Sequence, residues 1–187
     1  MSSPPDEIDD GRRSFTRRAR AAYPDLVRFC ARRTAPASAE DVAADSLATA
    51  WARRADAPRT DDAWRAWVFG IARHHLLSTG RAASRRDALA VRIAEHAPSS
   101  DHPTDAADLR VDLAAAWRRL TPAQQEVIAL VAWDGLDTVA AAAVLGIAPV
   151  TYRVRLTRAR AALRSHLQPA AAARPATRTS PTSGATA

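Results

Sequence analysis

The sequence predicts an all-α protein: two small helical domains joined by a flexible acidic linker, the second a helix-turn-helix. Three observations carry that prediction. Alanine is abundant while glycine is scarce, at 6 of 187 residues, and Ala gives up almost no side-chain entropy in a helix. Apolar residues recur at three- and four-residue steps, the spacing of one helix face. A stretch rich in acids and proline divides two such periodic regions.

Residues 1–12, with two prolines and four acids, predict a disordered acidic lead that has little to bury. Residues 13–92 form the first domain. Phe15, Ala19, Ala22, Leu26 and Phe29 share one helix face, and Pro36-Ala37-Ser38 interrupts the pattern. Ser38 is the expected cap of the next helix, with Asp41 as an acid in its first turn. That helix turns Val42, Leu47, Ala50 and Trp51 inward. After a polar loop, Arg54 to Asp61, either Asp61 or Asp62 is expected to cap a third helix carrying Trp64, Trp67, Val68, Ile71, Ala72 and Leu76. Residues 93–108, with Glu95, Asp101, Asp105, Asp108, Pro98 and Pro103, read as the linker.

The second domain covers residues 109–167. Leu109, Leu113, Ala116, Trp117 and Leu120 mark its first helix. Thr121-Pro122 reads as an N-cap with proline at the first helical position. The next helix, lined by Val127, Leu130 and Val131, stops near Asp134-Gly135. A short helix from Thr138 to Leu145 ends at Gly146, a left-handed stop, and a long helix starts at Pro149. Residues 168–187, rich in Ala, Pro, Thr and Ser, read as a disordered tail.

The formal net charge is +7 and the pI about 11.1, which suits a polyanionic partner, either nucleic acid or an anionic membrane surface. Every basic side chain apart from histidine is Arg; there is no Lys. Arg suits phosphate and guanine recognition, although a GC-rich coding sequence would produce the joint Arg and Ala bias equally well. Cys30 is the single cysteine, so no disulfide within the chain and no Cys-based metal site is expected. The polar, acidic start is unlike a secretory signal, and no apolar run approaches a membrane span. A cytoplasmic protein without cofactor or metal is therefore expected. His74 and His75 point to different helix faces and make a poor metal pair. Neither a Gly-rich phosphate loop nor a nucleophile elbow occurs, so no enzyme is predicted.

Asp137 to Leu167 is the most informative stretch. Short helix, tight turn at Gly146-Ile147-Ala148 and long helix make a helix-turn-helix, whose second helix enters the major groove. Tyr152, Leu156, Ala159 and Leu163 form its inward stripe; Arg153, Arg155, Arg158, Arg160 and Arg164 lie outward. No acid follows Asp137. Such a face can bond guanine edges and neutralise phosphates, although a solvated Arg face is the plainer alternative for any one of these residues.

On these residues a family resemblance appears. Leu120 to Ile128 (LTPAQQEVI), Gly135-Leu136, Val144 to Ile147 (VLGI) and Thr151 to Leu163 (TYRVRLTRARAAL) resemble the fourth conserved region of extracytoplasmic-function (ECF) sigma factors. Ala39 to Val42 (AEDV) with Ala50-Trp51 is similar to that family's core-polymerase-binding helix, and Trp64 to Arg73 (WRAWVFGIAR) to its promoter-melting segment. The resemblance implies a factor that binds core RNA polymerase on the clamp helices of the largest subunit, recognises promoter DNA at the −35 and −10 elements and is held by an anti-sigma factor. It assigns Glu40, Asp41, Asp45, Leu47 and Trp51 to polymerase binding, with capping and packing as the other reading of Asp41 and Trp51. It assigns Trp64, Arg65, Arg73, His74 and Arg81 to the single-stranded −10 element, where stacking and a cationic groove are needed, although Trp64 and Trp67 could equally be core. Arg85 and Arg86 join Arg81 as candidate phosphate contacts. It assigns Thr151, Arg153, Val154, Arg155, Thr157 and Arg158 to the −35 duplex. The acidic linker resembles one that lies in the polymerase's RNA path.

The chain departs from the family pattern at Ala44, His74, Ser78 and Ala140 to Ala143, and Tyr152 replaces a usual Val. A helix-turn-helix regulator acting without core polymerase would account for the second domain alone. It would leave the Ala39–Trp51 and Trp64–Arg73 segments unexplained.

Overall fold

A computed structural model describes residues 5–78 and 103–172, with side chains over 10–78 and 110–167. The described residues are helical and contain no strand. The first unit comprises α1 (Pro5–Ala31), a 3-10 turn (Pro36–Ser38), α2 (Ala39–Ala52), a second 3-10 turn (Arg54–Asp56) and α3 (Asp61–Ser78). The second comprises α4 (Pro103–Arg118), α5 (Pro122–Ala132), α6 (Thr138–Leu145) and α7 (Pro149–Ala172).

Three boundaries differ from the sequence reading. Helix α1 starts at Pro5, inside the expected disordered lead. Helix α4 starts at Pro103, inside the expected linker. Helix α7 continues past Gln168, through Pro169 to Ala172. The first two share a cause. Proline followed by acids, PDE in α1 and PTD in α4, is linker composition, yet it is also what a helix N-terminus favours. Proline there gives up an N–H that has no helical partner, and acids meet the positive end of the dipole. At the far end, three alanines extend a helix already formed. Residues 93–102 of the linker, and Arg81, Arg85 and Arg86, lie outside the described residues.

Capping also differs in part. Ser38 makes no side-chain cap bond. Neither Asp61 nor Asp62 caps α3; Thr60 Oγ1 accepts a long bond of 3.4 Å from Ala63 N, while Asp61 pairs with Arg18 at 2.8 Å. Thr121 does cap α5, in a full capping box: its hydroxyl accepts from Gln124 N at 3.3 Å, and Gln124 Oε1 accepts from Thr121 N at 2.9 Å.

The core of the first unit joins Leu26, Phe29 and Cys30 of α1, Val42 and Ala43 of α2, and Trp64, Val68, Phe69 and Leu76 of α3. The Phe29 and Phe69 rings lie 4.7 Å apart. Burial pushes the Cys30 thiol up to about 12, which makes it a packing residue, because the reactive species is the thiolate. In the second unit Trp117 stacks edge-on against Trp133 at 4.8 Å, and Gln125 Nε2 donates to the Trp117 carbonyl at 2.8 Å. Around them pack Leu120, Val127, Leu130, Leu136, Val144, Tyr152 and Leu156. Each fully buried large side chain contributes about 1.5–3 kcal/mol relative to exposure.

The two units are in contact. α3 packs along α6, with Gly70 facing the Val144 backbone, where a Cβ would make an ordinary contact at 3.9 Å.

Candidate nucleic-acid interface

The helix-turn-helix is built from local signals. Asp137 Oδ1 accepts from Ala140 N at 2.7 Å and caps α6. Gly146 closes α6 at φ 65° and ψ 36°, a left-handed conformation that glycine adopts without a Cβ penalty. The Ile147 amide then bonds back to the Ala142 carbonyl at 3.1 Å. α6 and α7 meet at 97°. Tyr152, Leu156 and Ala159 bury one side of α7 against α4, α5 and α6. The Tyr152 hydroxyl donates to the Val127 carbonyl at 2.7 Å, and burial pushes this phenol up to about 12. Tyr152 thus ties α7 to α5 with a polar bond that the family's usual valine could not make.

The opposite side of α7 is open. Thr151, Arg153, Val154, Arg155, Thr157 and Arg158 are all exposed, and Arg160 and Arg164 extend the row. Among the described residues, none of these arginines has a hydrogen-bond or ion-pair partner. The structure therefore brings all six −35 candidates onto one cationic surface.

The −10 candidates are placed differently. Trp64 is 2% exposed and packs edge-on against Phe15 at 5.7 Å. This corrects its reading as a stacking platform: the ring fills the core between α1 and α3, so no base can reach its face here. Arg65 is engaged: Nη2 donates to Asp25 Oδ2 at 3.0 Å and to the Asp134 carbonyl at 2.9 Å, with the guanidinium 4.6 Å over Phe69. Arg73 Nε lies 3.8 Å from Glu126 Oε1. His74 is exposed, while its neighbour His75 shares a hydrogen bond with Thr49 at 3.0 Å. Ser78, at another departure, donates to the His75 carbonyl at 3.0 Å.

On α2, Glu40, Asp41, Asp45 and Ala44 are exposed, and Leu47 is half-buried. Trp51, expected inward, is 36% exposed. It lies edge-on to Phe15 at 5.0 Å, with Arg54 4.6 Å above its ring. An acidic row and a half-open indole thus share the outer side of α2.

Sequence reasoning missed an ionic cluster between the units. Arg33, 4% exposed, donates through Nη2 to Asp134 Oδ2 at 2.7 Å and through Nε to Glu126 Oε1 at 3.2 Å. Arg32 Nε donates to Asp134 Oδ1 at 3.1 Å, and its Nη2 also reaches that oxygen. Burial works to lower the Arg33 pKa, but the Glu126 and Asp134 carboxylates overcome it and the net direction is upward. The partners stand about a hundred residues apart in the chain, so no local pattern pairs them. In sequence, Asp134-Gly135 is only a helix stop.

The fold and its exposed α7 define a class: an all-α DNA-binding protein in which a helix-turn-helix unit is joined to a second helical unit. The family described as "Sigma-70, region 4" matches residues 110–163. The ECF RNA polymerase sigma factor SigL of Mycobacterium tuberculosis is 33% identical over 146 residues, covering 76% of this chain and 82% of that protein, with the same values in strains H37Rv and CDC 1551. Among solved structures, the sigma factor RpoE in complex with the anti-sigma factor NepR from Bartonella quintana matches with a TM-score of 0.55 and 26% identity, covering 83% of this chain and 97% of that one. The chain belongs to the ECF RNA polymerase sigma factors, and its function is transcription initiation. Among the described residues, no single helix is long and apolar enough to cross a membrane.

Proposed function

We propose that α7 reads the −35 element as duplex, that α3 and the loop before it engage the −10 element as a single strand, and that the outer side of α2 docks on the clamp helices of core polymerase. The observation that carries the reading is the α7 surface: arginines at 153, 155 and 158 without hydrogen-bond or ion-pair partners among the described residues, on a helix fixed from behind by Tyr152, Leu156 and Ala159. Arg153 and Arg158 offer bidentate bonds to guanine O6 and N7, Val154 an apolar contact to a thymine methyl, and Thr151, Thr157 and Arg155 bonds to phosphate. On α3, His74 is open for a flipped base, and Arg65 and Arg73 supply phosphate contacts once released from their present partners. On α2, Glu40, Asp41 and Asp45 meet basic groups of the clamp, with Leu47 and Trp51 as the apolar contact. The first unit thus serves as the core-polymerase and −10 domain, the second as the −35 domain.

An anti-sigma protein is the natural regulator, since a related sigma factor is known in complex with one. The site of action is the cytoplasm, where polymerase works. The test mixes purified full-length chain with sigma-free core polymerase and measures co-elution and start-specific transcription. Co-elution and defined starts are expected. Duplex binding without any affinity for core enzyme would overturn the reading.

A further inference from the structure

We propose that Asp134 and Glu126 act as an acidic latch that holds the chain closed by occupying the first unit's arginines in place of nucleic-acid phosphates; this rests on the promoter reading above. Three observations support it. The first is direction. Among the described residues, every bond and ion pair of these two carboxylates crosses to the first unit: Asp134 to Arg32 and Arg33, Glu126 to Arg33 and Arg73. Among the described residues, neither carboxylate bonds within its own unit, which marks both as groups that serve the contact between units.

The second is chemistry. The Arg fork takes carboxylate and phosphate oxygens with the same two-point geometry. Arg65 and Arg73, assigned here to the −10 strand, belong to the same cluster; Arg65 also donates to the Asp134 carbonyl. Among the described residues, the one first-unit carboxylate bonded to Arg32, Arg33, Arg65 or Arg73 is Asp25, on Arg65. Four arginines against one acid leave this described surface cationic without the second unit's carboxylates. Arg33 is held in position by its own unit, through Nη1 to the Phe29 carbonyl at 3.1 Å and with its guanidinium 3.7 Å over the Phe29 ring. The cluster is therefore preorganised for a second anion once the acids leave.

The third is geometry. α3 packs on α6 and α6 on α7, so a single helix stands between the −10 surface and the −35 surface. The two elements lie about 25 base pairs apart, about 85 Å of duplex at 3.4 Å per pair. The latch reading has the two units separate to reach both elements. The contact suits separation. Desolvation offsets most of the attraction in a buried ion pair, and an open cavity of about 820 Å³ runs between Trp67, Gly70 and His74 on one side and Val139, Ala140 and Ala143 on the other. Ala140 and Ala143, in the short helix where the chain departs from the family pattern, line that space with small side chains.

The test uses the full-length chain, the isosteric double variant Asp134→Asn/Glu126→Gln, and Asp9→Asn/Asp10→Asn as a control with the same charge change. Affinity is read by fluorescence anisotropy with a labelled mixed-sequence single-stranded DNA 20-mer at fixed salt. Compactness is read by small-angle X-ray scattering. The double variant is expected to bind about tenfold more tightly than the control and to show a larger radius of gyration. Equal affinities, or an affinity gain without expansion, or expansion without an affinity gain, would each overturn the latch. If the double variant loses its helical circular dichroism, Asp134→Asn alone replaces it under the same criteria. Failure of the promoter reading looks different: neither wild type nor variant would then co-elute with core polymerase.

Discussion

Replacing Tyr152 with phenylalanine removes one oxygen from the centre of the DNA-reading unit, and the structure fixes both the size and the pH dependence of the effect. The hydroxyl donates to the Val127 carbonyl at 2.7 Å, and the side chain is 0% exposed. Because α5 continues to Ala132, that carbonyl keeps its helical partner at residue 131 when the hydroxyl goes. The loss at neutral pH is therefore a single hydrogen bond, about 1 kcal/mol, or about 2–4 °C in Tm for a chain of this size. Tyr152→Ala, which also opens a cavity, is expected to lose about 3–5 kcal/mol. Burial raises the phenol from 10.0 in the unfolded chain to about 12. A group whose folded pKa is raised contributes its full stability below the unfolded value and loses it as pH climbs toward the folded one. One pH unit above 10, wild type has given up about 1 kcal/mol through this group, whereas Tyr152→Phe has given up nothing. The two stabilities should cross near pH 11. Cys30, raised from 9.0 to about 12, loses stability in the same window but equally in both proteins, so it cancels. Urea unfolding at 25 °C, followed by circular dichroism from pH 7 to 11.5, checks this. Were wild type still the more stable protein at pH 11.5, the argument from burial would be refuted.

Arg158→Ala should weaken binding to a −35 duplex by about 1–3 kcal/mol and relax preference at one base pair; a competition gel shift that finds affinity and preference unchanged removes Arg158 from base readout. Thr121→Ala removes the hydroxyl half of the α5 capping box, leaving the backbone amide's bond to Gln124 Oε1, and should destabilise the protein by about 1 kcal/mol, read as a lowered urea midpoint at unchanged slope. Gly146→Ala forces a Cβ into φ 65°, for about 1–2 kcal/mol; because nothing stands within 4 Å of that Cβ, the loss is conformational, and Gly146→Asn should recover part of it in the same thermal melt.

The sequence by itself determined the local structure. The cap at Thr121-Pro122, the stop at Gly146, the restart at Pro149 and the stripe Tyr152, Leu156, Ala159 are set by neighbours three or four residues away, so periodicity and cap chemistry disclose them. The open Arg row of α7 follows from the same stripe, because residues that are not inward must be outward. Composition misled where one signature serves two structures: proline with acids describes a linker and a helix start alike, and α4 begins where a linker was expected. Only the tertiary structure decided that Trp64 is core while Trp51 is half open, since both lie in apolar helical segments and burial depends on which neighbouring helix covers them. Only the tertiary structure joined Arg32 and Arg33 to Asp134. Coulombic attraction between side chains a hundred residues apart leaves no period and no spacing in the chain; it exists only once the two units have met.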